Sequence, residues 1–541
     1  MIGNIAIPVL WSMHTAKLGA WDARAAQHPQ VPYWLLYGAL ALGALLRLNG
    51  LTRQSFWTDE LYVIWEARQP LDRLFDPHLH IQHPPGYRLL LHTWLGPSVA
   101  ELWARLLPAL AGLALIGVVW LLARSLWPTR PGIAGAGALL VATSPFLLHY
   151  SQDITTYSWT TLVVTGSIWL AVQAWRTNRP GWWAAWAGAA AIALYSHYFS
   201  IFPVGLLALV LLARAARRDA VARARLRPVL LAWSGIALLG APWVVVLLAR
   251  GQDVLGTPLF PLSVDRQPLH WVPVLLAGYA HQSLWDSPGV LLGFWGALAG
   301  VAGWALWRRA RSASRPGASA AALLAGWALA ATAGPYLFLR LTTPPAASDP
   351  VRFATMAAPP ILLALAAGAG VLPPVPRGLL LGGWLALAGV QWGSESAGLP
   401  TQDWRQVMQT IAGGAQPGDR LLAFPAFHAG AAAAYYPIPL RVQGGWFVAD
   451  GTDPHGAAYW FPPSWRWQGF LDPVAARSAD WPAAIQARVA GAQRLWYLAG
   501  DGVDGTYAPS PRCEAALAAL GWRLDQEWRA SPLVLRRYVH P

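Results

Sequence analysis

Charge is what this sequence has least of: Asp, Glu, Lys and Arg make up only 12% of its 541 residues, about half the roughly 25% of an ordinary soluble domain. The deficit is uneven, with 39 Lys+Arg against 25 Asp+Glu, a formal +14 at pH 7, and Lys17 is the one lysine. Cysteine is nearly absent too, since Cys513 stands alone, which excludes an intramolecular disulfide and a CxxC metal cluster. In excess are apolar residues, 55% of the chain with 34 Trp, and the mean hydropathy is +0.37. Such a composition excludes intrinsic disorder and points to a chain embedded in a membrane. Nucleic-acid binders carry basic surface on a polar background. Here the background is apolar, so no nucleic-acid partner is expected and the arginines are read as orienting membrane spans.

A spanning helix needs about 20 mostly apolar residues to cross about 30 Å of hydrocarbon. The stretch 33–392 supplies about eleven such runs, near 33–50, 100–123, 132–150, 157–175, 182–197, 199–213, 229–249, 288–307, 319–338, 353–371 and 378–392. Residues 182–213 read either as two spans meeting at Ser196-His197-Tyr198 or as one long helix with a re-entrant neighbour. Short cytoplasmic loops collect Lys and Arg. Arg214, Arg217, Arg218, Arg223, Arg225 and Arg227 crowd one loop, and Arg308, Arg309, Arg311 and Arg315 another. Arg124 with Arg130, Arg176 with Arg179, and Arg377 mark three more. Eleven spans put all five loops on one side, which predicts a cytoplasmic N-terminal segment, 1–32, and a first outer loop at 51–99. The first thirty residues show no basic segment followed by an apolar stretch and a cleavage site, so the first span is read as an uncleaved start signal.

Beyond Trp392 the pattern changes to Asp, Gly and Pro turns between short apolar runs. Helices are predicted at 403–413, 428–435, 482–492 and 513–520, and strands at Arg420–Phe424, Arg494–Leu498 and Leu533–Val539. This reads as an extracytoplasmic α/β domain over 393–541. The expected architecture is therefore a polytopic α-helical membrane protein of about eleven transmembrane helices, its membrane domain at 33–392, with a C-terminal α/β domain outside. No GxGxxG lies in the C-terminal part, so a nucleotide site is not expected.

Charged side chains near apolar spans are costly and mark function by default. Two outer segments carry acids: Phe56-Trp57-Thr58-Asp59-Glu60-Leu61-Tyr62 and His149-Tyr150-Ser151-Gln152-Asp153-Ile154-Thr155-Thr156-Tyr157-Ser158. Both have a structural alternative, for Asp59 and Glu60 fit the start of a juxtamembrane helix and Asp153 fits an N-cap of the fourth span. His78, His80 and His83 sit at irregular spacing in one loop, where solvated or hydrogen-bonded imidazoles compete with metal ligation. His197, between Tyr195 and Tyr198, fits an interfacial aromatic belt equally well.

The order of motifs along the chain carries more than any one of them. Trp57-Thr58-Asp59-Glu60 is followed by His83-Pro84-Pro85-Gly86-Tyr87, Arg105-Leu106-Leu107-Pro108, Tyr150-Ser151-Gln152-Asp153, Tyr195-Ser196-His197-Tyr198-Phe199 and Arg352-Phe353. Over about residues 33–375 this succession resembles the C-type (GT-C) membrane glycosyltransferases that use lipid-linked sugars. It looks most like glycosyltransferase family 39 and the dolichyl-phosphate-mannose-type mannosyltransferase-like proteins, relatives of the protein O-mannosyltransferases and of the aminoarabinose transferase of lipid A. The resemblance implies that Asp59 is the general base, with Glu60 supporting it or helping to hold a cation, and that Asp153 is the second catalytic acid. It also implies a site on the extracytoplasmic side of a bacterial plasma membrane. The sequence departs from the family's Gln-Glu-x-Arg-x-Tyr-Ser pattern: Asp153 replaces Glu, and Thr155 stands where Arg is usual, so another cation is expected to take that place.

The implied chemistry is transfer of a sugar from a polyprenyl phosphate to an acceptor hydroxyl on a glycan, a lipid or a protein. An in-line attack assisted by a carboxylate gives inversion, and the departing phosphate calls for cationic or hydrogen-bonding partners. Arg352, Arg88 and His83 are the candidates for the phosphate, with His197 beside them, while Tyr87, Tyr157 and Tyr198 are read as lining the sugar pocket. Snorkelling to lipid headgroups is the structural alternative for the arginines. A divalent cation, Mg²⁺ or Mn²⁺, held by Asp59, Glu60 and Asp153 fits their hard oxygens, although some relatives work without one. The rival reading is a transporter or flippase of a lipid-linked substrate, against which no second copy of either acid segment is found. A catalytically dead scaffold is the third.

Overall fold

A computed structural model describes residues 33–75, 83–217, 219–249, 275, 300, 315–342, 350–397, 402–424, 432–433, 435–436, 438–439, 442–443, 486, 489–500, 511–530 and 533–540. The N-terminal segment 1–32, all of the run at 288–307 but residue 300, most of the loop 250–287 and most of the helices expected at 428–435 and 482–492 lie outside the described residues.

The chain is mostly helical. The helices are α1 (Tyr33–Leu48), α2 (Thr58–Ala67), α3 (Gly86–Leu95), α4 (Glu101–Leu126), α5 (Pro131–Thr143), α6 (Pro145–Ser151), α7 (Tyr157–Thr177) and α8 (Pro180–Ser196). They continue with α9 (Ile201–Ala215), α10 (Ala220–Ala249), α11 (Arg315–Thr342), α12 (Ala358–Ala369) and α13 (Pro374–Ala397). Ten of the eleven expected runs fall on these helices. Among the described residues, five helical stretches are long and apolar enough to cross a membrane: Glu101–Leu126, Tyr198–Ala215, Ala222–Val246, Ser319–Leu339 and Val351–Ala369. The pair α5 and α6, bent by 58°, makes a sixth if it is one span.

Local chemistry accounts for the breaks. Proline opens α5, α6 and α8, where its missing N–H costs nothing. Pro145 also ends α5, because it has no N–H for the preceding turn. The carbonyls freed there are not left bare: buried Arg47, from the end of α1, donates to Ala142 O at 2.9 Å and Val141 O at 3.1 Å. Between α8 and α9 the backbone of His197 is extended, with φ −158° and ψ 133°, and a 3-10 turn follows at Tyr198–Ser200. The stretch 182–213 is thus two helices meeting at Ser196-His197-Tyr198.

Buried residues of α4, α5, α7, α8, α9, α11 and α12 make one large apolar core. The arginine-bearing helix ends meet at one end of this bundle. Arg176 donates to Ser125 O at 2.8 Å, Arg225 donates to Trp175 O at 2.8 Å, and Arg214 lies 4.6 Å over the Trp175 ring. The other end of α4, about 39 Å away for 26 residues at 1.5 Å rise, carries Arg105 and the acid loops.

Near the C-terminus lie α14 (Trp404–Gly414), β1 (Arg420–Phe424), β2 (Val442–Gln443), β3 (Arg494–Gly500), α15 (Pro511–Ala519), β4 (Arg523–Ala530) and β5 (Leu533–Val539). The strands form one mixed sheet in the order β2-β1-β3-β5-β4, parallel across β2-β1-β3 and antiparallel across β3-β5-β4. Gln416-Pro417-Gly418-Asp419 makes the turn into β1, with Gly418 at φ +93° and Asp419 accepting from Arg494 at 2.7 Å and from the Trp496 indole at 2.8 Å. Trp404, Val407, Met408 and Ile411 bury one face of α14 in a cluster that holds Leu421, Trp496, Leu498 and Leu535 of the sheet together with Phe56, Leu61, Ile64, Leu91 and Leu95. A second core therefore joins the sheet region to the first acid loop.

Candidate active site

The two acids of the first loop part company because they are neighbours on a helix. Successive residues of α2 point about 100° apart, so Glu60 faces inward, 1% exposed, while the Asp59 side chain keeps 40% exposure. Glu60 is saturated. Its Oε1 accepts from Arg105 Nε at 2.8 Å and from the Ile154 amide at 3.2 Å. Its Oε2 accepts from Arg105 Nη2 at 2.5 Å and, reaching back to the helix start, from the Trp57 amide at 3.2 Å. Arg105 also donates to the carbonyls of Leu51, Gln54 and Ser55 at 2.7, 2.8 and 3.0 Å, which stitches the loop to α4. Capping describes Glu60, then, and not Asp59. The Asp59 Oδ2 instead accepts from Arg352 Nη1 at 2.9 Å, bringing together residues 293 positions apart.

Asp153 lies in the turn between α6 and α7 and does not cap α7. Its Oδ1 accepts from the Thr155 amide at 2.8 Å, an Asx-type turn, and Thr156, the residue before α7, donates its hydroxyl to Ser196 O at 3.1 Å. Burial, and then the neighbouring Glu60 carboxylate, push Asp153 up to about 7. Gln152 pins this turn to the end of α1 by donating to the carbonyls of Leu46, Arg47 and Asn49. Where the family pattern has an arginine this chain has Thr155, and Arg105, which is paired with Glu60, feels the Asp153 charge only weakly.

The loop His83-Pro84-Pro85-Gly86-Tyr87 reaches the α8–α9 junction. A Cβ at Gly86 would stand 2.7 Å from Tyr195 O, so only glycine lets the two backbones approach. This approach sets the His83 and His197 rings 5.0 Å apart, centroid to centroid, with Tyr157 at 6.4 Å from His83 and 5.8 Å from His197. Phe353 closes the group at 5.7 Å from His197, and the Arg352 guanidinium lies 5.5 Å over the Phe353 ring. Burial, followed by the Arg352 charge, pushes His197 down to about 3, and burial with His197, Arg88 and Arg352 holds His83 well below its ordinary range. Both imidazoles are neutral at neutral pH. His197 Nδ1 accepts from the Phe199 amide at 3.1 Å, which leaves the proton on Nε2. That Nε2–H is buried and has no partner among the described residues, and neither has His83 Nδ1.

Tyr87 is buried, with its hydroxyl donating to Ile154 O at 2.6 Å beside Asp153. Arg88 is placed differently from the others. It is buried in a bidentate pair with Glu66, at 2.6 and 2.9 Å, and donates to His83 O at 2.7 Å, so it supports the His83 loop. Tyr198 packs against the bundle core in the turn after His197. The structure thus gathers Asp59, His83, Tyr157, His197 and Arg352, sets Asp153 and Tyr87 behind them, and makes Glu60 and Arg88 scaffold. His78 and His80 lie outside the described residues.

Two of the three carboxylates expected to hold a divalent cation are engaged by other partners. Each Glu60 oxygen already accepts two hydrogen bonds, and Asp59 is paired with Arg352. Among the described residues no group of three His, Cys, Asp or Glu side chains is disposed to hold a metal. Sequence reasoning missed Glu66, Arg47 and Gln402. The first is an acid of α2 at i+4 from Tyr62, a spacing that was there to be read. Nothing local marks the other two.

Comparison with known proteins supports the resemblance. Residues 82–246 match the family model described as dolichyl-phosphate-mannose-protein mannosyltransferase. No curated protein matches. Among solved structures the chain is similar to ArnT from Cupriavidus metallidurans bound to undecaprenyl phosphate, at 15% identity and TM-score 0.55, covering 96% of this chain and 98% of that one. The apo form of ArnT gives 16% identity and TM-score 0.56 over the same shares. The archaeal oligosaccharyltransferase AglB from Archaeoglobus fulgidus, in complex with an inhibitory peptide and a dolichol-phosphate, gives 13% identity and TM-score 0.47, over 86% of this chain and 69% of that one. The chain thus shares its fold with ArnT and resembles the GT-C membrane proteins, and its residues 82–246 match the dolichyl-phosphate-mannose-protein mannosyltransferase family model.

Proposed function

We propose that this chain is a membrane glycosyltransferase that moves a sugar from a polyprenyl phosphate to an acceptor hydroxyl. The observation that carries the reading is the Asp59–Arg352 pair, standing beside two buried neutral histidines with unused polar atoms. All lie at the end of an apolar helix bundle opposite its arginine-rich end. The family match and the fold support it, and an undecaprenyl phosphate bound to ArnT supports the choice of donor class.

In the proposed reaction the acceptor oxygen attacks the anomeric carbon in line with the leaving phosphate. The Asp59 carboxylate takes the hydroxyl proton as the new C–O bond forms. The bond from the anomeric carbon to the phosphate oxygen breaks, its electron pair staying on phosphate, and configuration inverts. Arg352 links the two events. The departing phosphate carries more negative charge than one carboxylate and competes for the guanidinium, which releases Asp59 toward the acceptor. His197 Nε2–H is the donor to a substrate oxygen, with His83 beside it, and Tyr157 and Phe353 supply an apolar wall for the sugar ring. Asp153, poised near 7, and Tyr87 hold the back of the site. No step is routed through a metal ion, since Asp59 and Glu60 are already neutralised by Arg352 and Arg105.

The wider placement follows from the same reading: about eleven spans in a bacterial plasma membrane, the arginine-rich end cytoplasmic, and the site and the C-terminal domain outside. The test is transfer by the purified protein from a panel of undecaprenyl-phosphate-linked sugars, read by product mass, with Asp59→Asn beside it. Transfer by the unaltered chain and its loss in Asp59→Asn is the expected result. Full activity in Asp59→Asn refutes the general base, and lipid movement across vesicles without sugar transfer favours a flippase.

A further inference from the structure

At the start of helix α2, which presents Asp59, Glu60 accepts from the Trp57 amide, but Trp57 at the N-cap position has no side-chain acceptor to offer the next amides of the first turn, which need one. The acceptor arrives from 344 residues away. Gln402 Oε1 accepts from the Thr58 amide at 2.9 Å, from the Thr58 hydroxyl, and from the Trp404 indole at 3.1 Å. All three partners are donors, so the atom among them is the amide oxygen and not the nitrogen. The Gln402 backbone carbonyl accepts from Ser55 Oγ at 2.9 Å, so this one residue holds both sides of Phe56-Trp57.

Its neighbours repeat the grip. Tyr436 accepts from the Phe56 amide at 3.2 Å and donates to Glu101, while Arg405 pairs with Glu101 and donates to the carbonyls of Thr52 and Gln54 at 3.2 Å each. Of these contacts only that of Gln402 falls on the residue immediately before Asp59. A helix start that slips there carries the Asp59 carboxyl away from Arg352, which sits on a separate element, the 3-10 segment Pro350–Ala357.

Building on the transferase reading, we propose that Gln402 is a positioning residue: the C-terminal region caps the acid-bearing helix through it and so sets the Asp59 carboxyl for proton transfer. The test uses the full-length protein in detergent. In Gln402→Leu, amide hydrogen exchange at residues 58–60 rises on the order of tenfold, the size of a lost cap. Gln402→Glu keeps the acceptor and leaves exchange at the unaltered level. With an undecaprenyl-phosphate-linked sugar as donor, Gln402→Leu lowers kcat about tenfold with donor KM within about twofold, since geometry and not binding is lost. Gln402→Glu restores kcat and moves the acid limb of its pH profile upward, because the added carboxylate lies close to Asp59.

Unchanged exchange in Gln402→Leu, or a Gln402→Glu protein as impaired as Gln402→Leu, overturns the proposal. Should Gln402→Leu not fold, Gln402→Asn withdraws the same acceptor by one methylene and carries the same readouts. If the unaltered chain transfers no sugar, the transferase reading fails while the exchange measurement still decides the cap.

Discussion

Removing the Arg105 guanidinium, as in Arg105→Met, strands a carboxylate that cannot reach water. Glu60 and Arg105 are 1% and 6% exposed, and their two contacts are 2.8 and 2.5 Å. Breaking a buried pair from one side costs roughly 3–5 kcal/mol, because the remaining charge is uncompensated. Here the loss is larger than the pair alone, since Arg105 also serves the carbonyls of Leu51, Gln54 and Ser55. Each buried acceptor left bare adds about 1–3 kcal/mol, less where water can enter. The sum lies near or above 5 kcal/mol, comparable with the whole stability of a typical domain, about 5–15 kcal/mol. Glu60→Met together with Arg105→Met removes both charges and recovers the ionic part of that cost but not the three carbonyls. Equilibrium unfolding in mixed micelles, followed by tryptophan fluorescence, should show a coupling of at least about 2 kcal/mol between the two sites. A loss under about 1 kcal/mol for Arg105→Met alone, or strict additivity of the two, would refute a saturated, buried Glu60 and return it to the catalytic set.

Two further outcomes follow from the same geometry. Asp153 titrates near 7 in the folded chain and near 3.9 when unfolded, so between about pH 4 and pH 7 the native state binds more protons than the unfolded state. Its stability therefore falls as pH rises through that window, by on the order of a few kcal/mol. Asp153→Asn should flatten the slope between pH 4.5 and pH 7.5, and an unchanged slope would show that the carboxyl is not held protonated. In Gly86→Ala the new Cβ meets Tyr195 O, which costs about 1–3 kcal/mol of strain and pushes His83 away from His197. Donor KM should rise more than kcat falls, and a variant with unaltered kinetics would place the histidine pair outside the binding site.

How much of this was legible in the sequence depends on how local each feature is. Apolar runs are properties of a window, so ten expected runs fall on helices. Strands β1 and β5 occur at the expected residues, and β3 extends two residues past its expected end. Strand β4 was missed because Arg523–Ala530 is polar and largely exposed along its length, as suits an edge strand that must not recruit another chain. The pair Asp59-Glu60 was visible as a pair, but which of the two is available for chemistry depends on which face of α2 meets α4, and no local pattern states that. The histidines show the same limit. His83 and His197 were visible as polar residues in apolar company, whereas their approach depends on Gly86 lying against Tyr195, a contact between segments over a hundred residues apart in the chain.

The scarcity of charge gives the buried arginines a common meaning. Arg47 covers the carbonyls freed at Pro145, just ahead of the turn that holds Asp153. Arg88 ties Glu66 to the His83 backbone. Arg105 ties Glu60 to the loop before α2 and, through the Ile154 amide, to the Asp153 turn. All three are nearly inaccessible, so none can reach a substrate, and each fixes one of the segments from which the site is assembled. A guanidinium suits this task because it offers five donors in a rigid plane and can bind several backbone carbonyls or a bidentate carboxylate at once. Arg352 alone among the site's arginines pairs with a partly exposed acid. In the proposed reaction its charge can therefore change partners when a phosphate arrives, which would separate Arg352 from the three arginines that hold the site in shape.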